Sequence, residues 1–215
     1  MHINDVLFDL DGTLTDPGEG ITNSVIFSLE KFGITVSNRA ELYKFIGPPL
    51  LYSYKEYYGF SESDAKLAIK YYREYFSEKG IFENRVYDGI TDMLGKLRGN
   101  NIRLSVATSK PDPFAVKILE HFGLTEYFSL VAGATMDETR SEKHEVIEYA
   151  LRGLHIEDKA RCIMVGDRKH DILGAKKNGL KSVGVLYGYG SRGELETAGA
   201  DMLAETPLDI CGLIL

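Results

Sequence analysis

In "VLFDLDGTLTD" (residues 6–16), a run of apolar residues ends in Asp9 and Asp11, and Gly12, Thr13 and Thr15 follow. In an extended chain residues i and i+2 point the same way, so both acids can face one site. Carboxylates that close repel unless a cation or a proton joins them. A hard cation such as magnesium prefers oxygen ligands. Gly12 permits a tight turn, and the threonines offer hydroxyls and amides to an anion. A capped turn with ordinary aspartates is the plainer alternative, but "IMVGDRKHDILGAKKNG" (163–179) repeats the pattern: an apolar run reaches Gly166 and Asp167, with Asp171 four residues on. If a helix starts there, i and i+4 share a face and both acids look back at one edge. Helix-start acids favoured by the macrodipole would account for one of these residues, not for the same arrangement after two apolar runs. "SVATSK" (105–110) places Thr108 and Ser109 before Lys110, a hydroxyl and amide seat for phosphate if a helix follows. "TRSEKHEV" (139–146) brings Lys143 to the start of a predicted helix, where it can balance a carboxylate or a phosphate. Singly, Lys143 reads as a solvated lysine and Thr108 as a turn residue; the four together form a set.

These residues need a sheet edge to gather them. Strands are predicted at 2–8, 102–107, 128–133, 161–166 and 181–186, each rich in Val, Ile or Leu. Helix-length segments lie at 112–122, 143–152 and 171–178, with Gly123 and Gly179 at C-terminal stops. Strand and helix in alternation imply an α/β, Rossmann-like parallel sheet with helices on both faces. Near-continuous apolar strands agree with that cover. Ligands then bind beyond the carboxyl ends of the strands, where all the candidate residues fall.

Residues 18–85 break the alternation. No strand is evident there. Ile21, Val25, Leu29 and Phe32 recur at helical spacing, Asn38 and Glu41 suggest a capping box, and 61–80 reads as a helix from Ser61 to a stop at Gly80. Eight of the thirteen tyrosines lie between Tyr43 and Tyr75. The chain therefore divides into a core (1–17 and 86–215) and a small all-helical insertion (18–85). The insertion's tyrosines read chiefly as packing, with stacking on a nucleobase as the functional alternative. "IGPP" (46–49) is a stiff break between helices, suited to a loop reaching a substrate. Lys44 before it could meet a second anionic group, though a surface lysine is the simpler reading.

A net charge of -7 argues against nucleic-acid polymers and membrane surfaces as partners. No apolar run reaches the ~18 residues of a spanning helix, and the N-terminal residues lack a secretory layout. Cys162 and Cys211 have no paired spacing and read as free thiols in a reducing, cytoplasmic setting.

The four segments together resemble the haloacid dehalogenase-like hydrolase superfamily. "DLDGT" resembles its first motif, Thr108 its second, Lys143 its third and "GDRKHD" its fourth, in the right order across essentially the whole chain. The insertion resembles the cap of the phosphoglycolate phosphatase-like branch. "FIGPPL" (45–50), "ATSKP" (107–111) and "VLYGYGS" (185–191) are similar to bacterial members described as 5'-nucleotidases or phosphoglycolate phosphatases. His144 stands where members often have proline after the third-motif lysine, which leaves Lys110 as the alternative for that role. "VYDGI" (86–90) stands where a proline–glycine turn often returns from cap to core.

The resemblance implies a magnesium-dependent phosphatase acting on a small phosphate monoester through an aspartyl phosphate. Asp9 would be the nucleophile and Asp11 the general acid and base. Thr108, Ser109, Lys143 and Gly47 would contact substrate, and Asp9, Asp11 (through its carbonyl), Asp167 and Asp171 would hold magnesium. A small-molecule ester is the expected partner, and a monomer or weak homodimer the expected state. A phosphomutase of the same fold is the main alternative. A receiver-type phospho-acceptor lacks a large helical insertion and does not carry its acceptor on the first strand. A dehalogenase would not need Asp11 or the metal carboxylates, and a silent binding protein would be expected to have lost an acid.

Overall fold

The computed structural model describes residues 3–137 and 139–215. His2, at the start of the first predicted strand, lies outside them. The chain forms two compact units, Met1–Asp16 with Val86–Leu215, and Pro17–Arg85.

The larger unit is built on β1 (Asp5–Phe8). The crossing passages carry two short strands, β2 (Thr15–Asp16) and β3 (Arg85–Val86). The smaller unit contributes α1 (Gly18–Glu30), α2 (Leu50–Tyr58) and α3 (Glu62–Tyr75). The larger unit resumes with α4 (Ile90–Gly99), β4 (Arg103–Pro111), α5 (Asp112–His121), β5 (Val131–Ala134) and α6 (Lys143–Gly153). It ends with β6 (Cys162–Gly166), α7 (Lys169–Lys177), β7 (Lys181–Val185), α8 (Arg192–Ala198), β8 (Met202–Ala204) and α9 (Pro207–Ile214).

Six strands form one sheet in the order β5-β4-β1-β6-β7-β8, and every pairing is parallel. β1 sits between β4 and β6, where the direction of winding reverses. Right-handed crossovers then send α4 and α5 to one face and α6 and α7 to the other. That reversal opens a crevice beyond the carboxyl end of β1. Val6, Leu7 and Phe8 are fully buried, as a strand covered on both faces requires. Leu7, Ala107 and Met164 pack against Val146, Ile147 and Ala150 of α6 and Ala175 of α7. Both cysteines are buried and free.

Several boundaries differ from the sequence reading: β1 begins at Asp5 and β5 at Val131, each three residues later than expected. β4 continues through Thr108 to Pro111, because its register against β5 shifts after Ala107 and lets an irregular strand run on. The three-residue β8 was too short to show a period.

The smaller unit is helical, with Ile21, Val25 and Leu29 buried along one stripe of α1. Asn38 does cap, but its side chain accepts from Ala40 N (3.1 Å) and starts a 3₁₀ segment, Arg39–Phe45, not an α-helix. Ser61 caps α3 as predicted, accepting from Asp64 N. The helix does not stop at Gly80 by a left-handed turn. It passes into a π-helical turn, Phe76–Gly80, and Gly80 serves close approach: a Cβ there would meet Ser24 and Gly20. Phe45 packs against Tyr54, Tyr57 and Tyr58, and Tyr54 stacks on Phe60. Tyr54 is fully buried, while Tyr43 and Tyr52 are exposed. Lys44 Nζ lies 4.6 Å from the centre of the Tyr57 ring, a cation–π contact.

Candidate active site

The loop after β1 carries both acids of the first motif. Asp9 N donates to Val165 O (2.9 Å), so the residue still rides on the edge of β6. Leu10 O then accepts from the amides of Thr13, Leu14 and Thr15, and Gly12 N donates to Thr15 O. A turn this tight needs the left-handed φ of 82° at Gly12. A Cβ at Gly12 would also fall on the Asp167 carboxylate. Gly12→Ala should therefore cost about 1–2 kcal/mol for backbone strain and about 1–3 kcal/mol for the clash. Denaturant unfolding measures it, and an unchanged midpoint would contradict the assignment.

Asp9, Asp11, Thr108, Lys110, Lys143, Asp167 and Asp171 are all buried. Lys143, the first residue of α6, lies 2.8 Å from Asp9 Oδ1 and 2.9 Å from Asp171 Oδ1, and donates to Ala107 O at 3.1 Å. Burial pulls its ammonium down, yet the carboxylates of Asp171 and Asp9 outweigh that and hold it above the usual lysine range. Lys110 is engaged elsewhere: its Nζ donates to Asp11 Oδ2 at 2.5 Å. The two lysines thus have separate carboxylate partners.

Asp167 and Asp171 do not share a helical face. α7 begins at Lys169, and Asp167 precedes it in the bend that follows β6. The two acids converge because Asp171, in the first turn, folds back to accept from Arg168 N (3.0 Å), while Asp167 points off the strand end. Asp167 accepts from Tyr189 N (2.7 Å) and from the Thr13 hydroxyl (3.4 Å).

Ligand oxygens of Asp9, Asp167 and Asp171 lie within 4.8 Å of one another. Burial, then repulsion from Asp171 and Asp9, pushes the Asp167 carboxyl well above its usual range. Burial also raises Asp171, even with Lys143 beside it. Of the three buried acids, Lys143 pairs with Asp9 and Asp171, and a divalent cation with oxygen preference would balance the surplus charge. The donor set therefore fits such a cation.

Thr108, on the irregular end of β4, accepts from Lys110 N at 3.3 Å, and Ser109 is half-buried beside it. Gly47 belongs to the smaller unit, in the break before α2, with φ 104°. Sequence reasoning used the loop after β7 only as part of the family resemblance and gave its residues no role at the site. There Tyr187 Oη donates to Thr13 O (3.0 Å), Tyr189 Oη bonds Asp16, and Gly188 and Gly190 press on Asp167 and leave no room for a Cβ. The available signal was "YGYG" directly beyond a predicted strand.

Residues 6–185 match the haloacid dehalogenase-like hydrolase family. The chain belongs to this family. The hydrolase is 50% identical over 192 residues to a 5'-nucleotidase of Pseudomonas aeruginosa, across 88% of this chain and 86% of that protein. It is 42% identical over 185 residues to the tyrosine-protein kinase PtkA of Mycobacterium tuberculosis, covering 86% of this chain but 62% of that longer protein. The crystal structure of a predicted phosphatase from Clostridium acetobutylicum superposes with a TM-score of 0.97 at 50% identity, over 100% of this chain and 99% of that one. The hydrolase is an enzyme of the phosphatase kind, acting on phosphate esters. Among the described residues no helix is long and apolar enough to cross a membrane.

Proposed function

We propose that the hydrolase cleaves a small phosphate monoester, of the 5'-nucleotide or phosphoglycolate class, with magnesium and through an aspartyl phosphate on Asp9. One observation carries this reading: Asp9 belongs to the acidic cluster with Lys143, while Asp11, two residues on, is held apart by Lys110. A nucleophile and a separate acid/base are what a two-step displacement requires.

Asp9 attacks phosphorus and the ester oxygen leaves with a proton from Asp11. Asp11 then takes a proton from water, which displaces the phosphate from Asp9. Lys143, Thr108 and Ser109 hold the phosphoryl oxygens as charge builds on them. Magnesium held by Asp9, Asp167, Asp171 and the Asp11 carbonyl would screen the anionic nucleophile from the anionic ester. In this reading the smaller unit takes the family's cap role, selecting the ester, and Gly47, in the break before α2, is its proposed substrate-contacting residue. The name of the Pseudomonas relative supports the nucleotide class, and the sequence resemblance supports either class.

Nucleotides, phosphoglycolate, sugar phosphates and p-nitrophenyl phosphate, each assayed with magnesium, test the proposal. Multiple turnovers are expected on a simple monoester. Faster transfer to a sugar phosphate than to water would make it a mutase. One stoichiometric phosphorylation would make it a receiver, and transfer to a tyrosine peptide would follow the mycobacterial relative's name. Asp11→Asn should lower turnover by about 10²–10⁴-fold, because proton transfer fails in both steps. A loss below tenfold would remove Asp11 from that role.

A further inference from the structure

We propose that Lys110 is the positioning residue of the proton-transfer acid: it anchors one oxygen of Asp11 so that the other faces the ester's leaving oxygen. The inference rests on the phosphatase reading above and adds a residue to it.

Lys110 and Asp11 are both buried, and their side chains meet at 2.5 Å across 99 residues of sequence. The contact involves Asp11 Oδ2 alone. Asp11 Oδ1 is buried and, among the described residues, has no hydrogen-bond partner. An orphaned buried carboxylate oxygen is costly and calls for an explanation. The acidic cluster does not supply one, since it is formed by Asp9, Asp167 and Asp171. Lys143 does not supply one either, since its carboxylate partners are Asp9 and Asp171.

The backbone fixes the aim of Lys110. The register of β4 against β5 shifts between Ala107 and Pro111, and such irregularities redirect side chains at strand ends. Gly133 of β5 lies so close that a Cβ there would strike Lys110 O and Asp112 N. Lys110 N also donates to Thr108 Oγ1. A buried ion pair adds little stability over well-packed apolar side chains of similar volume, which favours a task beyond holding the fold.

In the first step a carboxylate oxygen of Asp9 forms a bond to phosphorus and the bond from phosphorus to the ester oxygen breaks. That oxygen takes its electron pair and receives the proton from Asp11 Oδ1. Asp11 is left as a carboxylate, with Lys110 already paired to Oδ2. Without Lys110 the carboxyl is free to turn, and the developing charge loses its partner.

Leaving-group dependence separates this role from a structural one. A p-nitrophenolate leaves without a proton; an alkoxide does not. In Lys110→Met, kcat/KM for the alkyl ester the wild type turns over best should fall by about 30-fold or more, within the 10²–10⁴-fold that general acid catalysis supplies. For p-nitrophenyl phosphate the expected fall is less than about 3-fold, because kcat/KM reports transition-state stabilisation. Circular dichroism and thermal melting establish that the variant folds; if it does not, Lys110→Gln is read by the same ratio. Equal losses on the two esters in a folded variant overturn the proposal alone. A wild-type chain that hydrolyses neither ester overturns the phosphatase reading beneath it.

Discussion

Asp9→Asn should hydrolyse no phosphate ester at a measurable rate while keeping its fold. The amide is not a nucleophile toward phosphorus, so no phosphoenzyme forms, and the covalent route is lost entirely. The fold should survive because the change is nearly isosteric and removes charge from a site with a surplus of acids. Lys143 keeps Asp171 at 2.9 Å and Ala107 O at 3.1 Å, so its buried ammonium is not left unpaired. Asp167 and Asp171 also lose a repelling neighbour, since Asp9 raises both carboxyl groups. Phosphate release and a melting curve together test this. Turnover at several per cent of wild type, from a folded variant, would remove Asp9 from the nucleophile's role.

Chelation should be as severe. With EDTA the chain is expected to be inactive, and magnesium should restore it. Calcium should inhibit, because it takes more ligands at longer distances and would displace the nucleophile from line. The acids are not equivalent. Asp171 is occupied by Lys143 and by the Arg168 amide, whereas Asp167 accepts only from an amide and a hydroxyl among the described residues. Asp167→Ala should therefore weaken magnesium binding by about 100-fold or more, and Asp171→Ala by about tenfold, the scale typical of outer-shell partners. Calorimetric titration of the metal-free variants measures this without any turnover. Full activity after chelation, or a reversed order of the two variants, would contradict the arrangement.

The candidate residues of the site were legible because their signals are local. Asp9 with Asp11, and Asp167 with Asp171, each follow an apolar run, and strands that long and apolar are buried on both faces wherever they occur. Alternation of such runs with helix-length segments determines a parallel sheet, and a parallel sheet places its strand ends on one edge. The all-helical character of 18–85 was equally local, carried by the spacing of Ile21, Val25 and Leu29 and by the cap at Ser61. Local signals also misled where the backbone departs from regular periods. Asn38 caps a 3₁₀ segment, α3 passes into a π-helical turn, and β4 runs past Thr108.

What the tertiary structure alone decided is the division of charges. Nothing in "ATSKP" or "SEKHEV" says that Lys110 goes to Asp11 while Lys143 bridges Asp9 and Asp171. Those partners lie on different elements of the chain, and their meeting depends on sheet order and on a register shift of β4 against β5. The approach of Gly188 and Gly190 to Asp167 is of the same kind. A glycine's local signature is its φ, and its packing against a distant carboxylate leaves no mark on neighbouring residues. Sequence determined which groups stand at the sheet's edge; packing among elements far apart in the chain decided which acid each lysine neutralises.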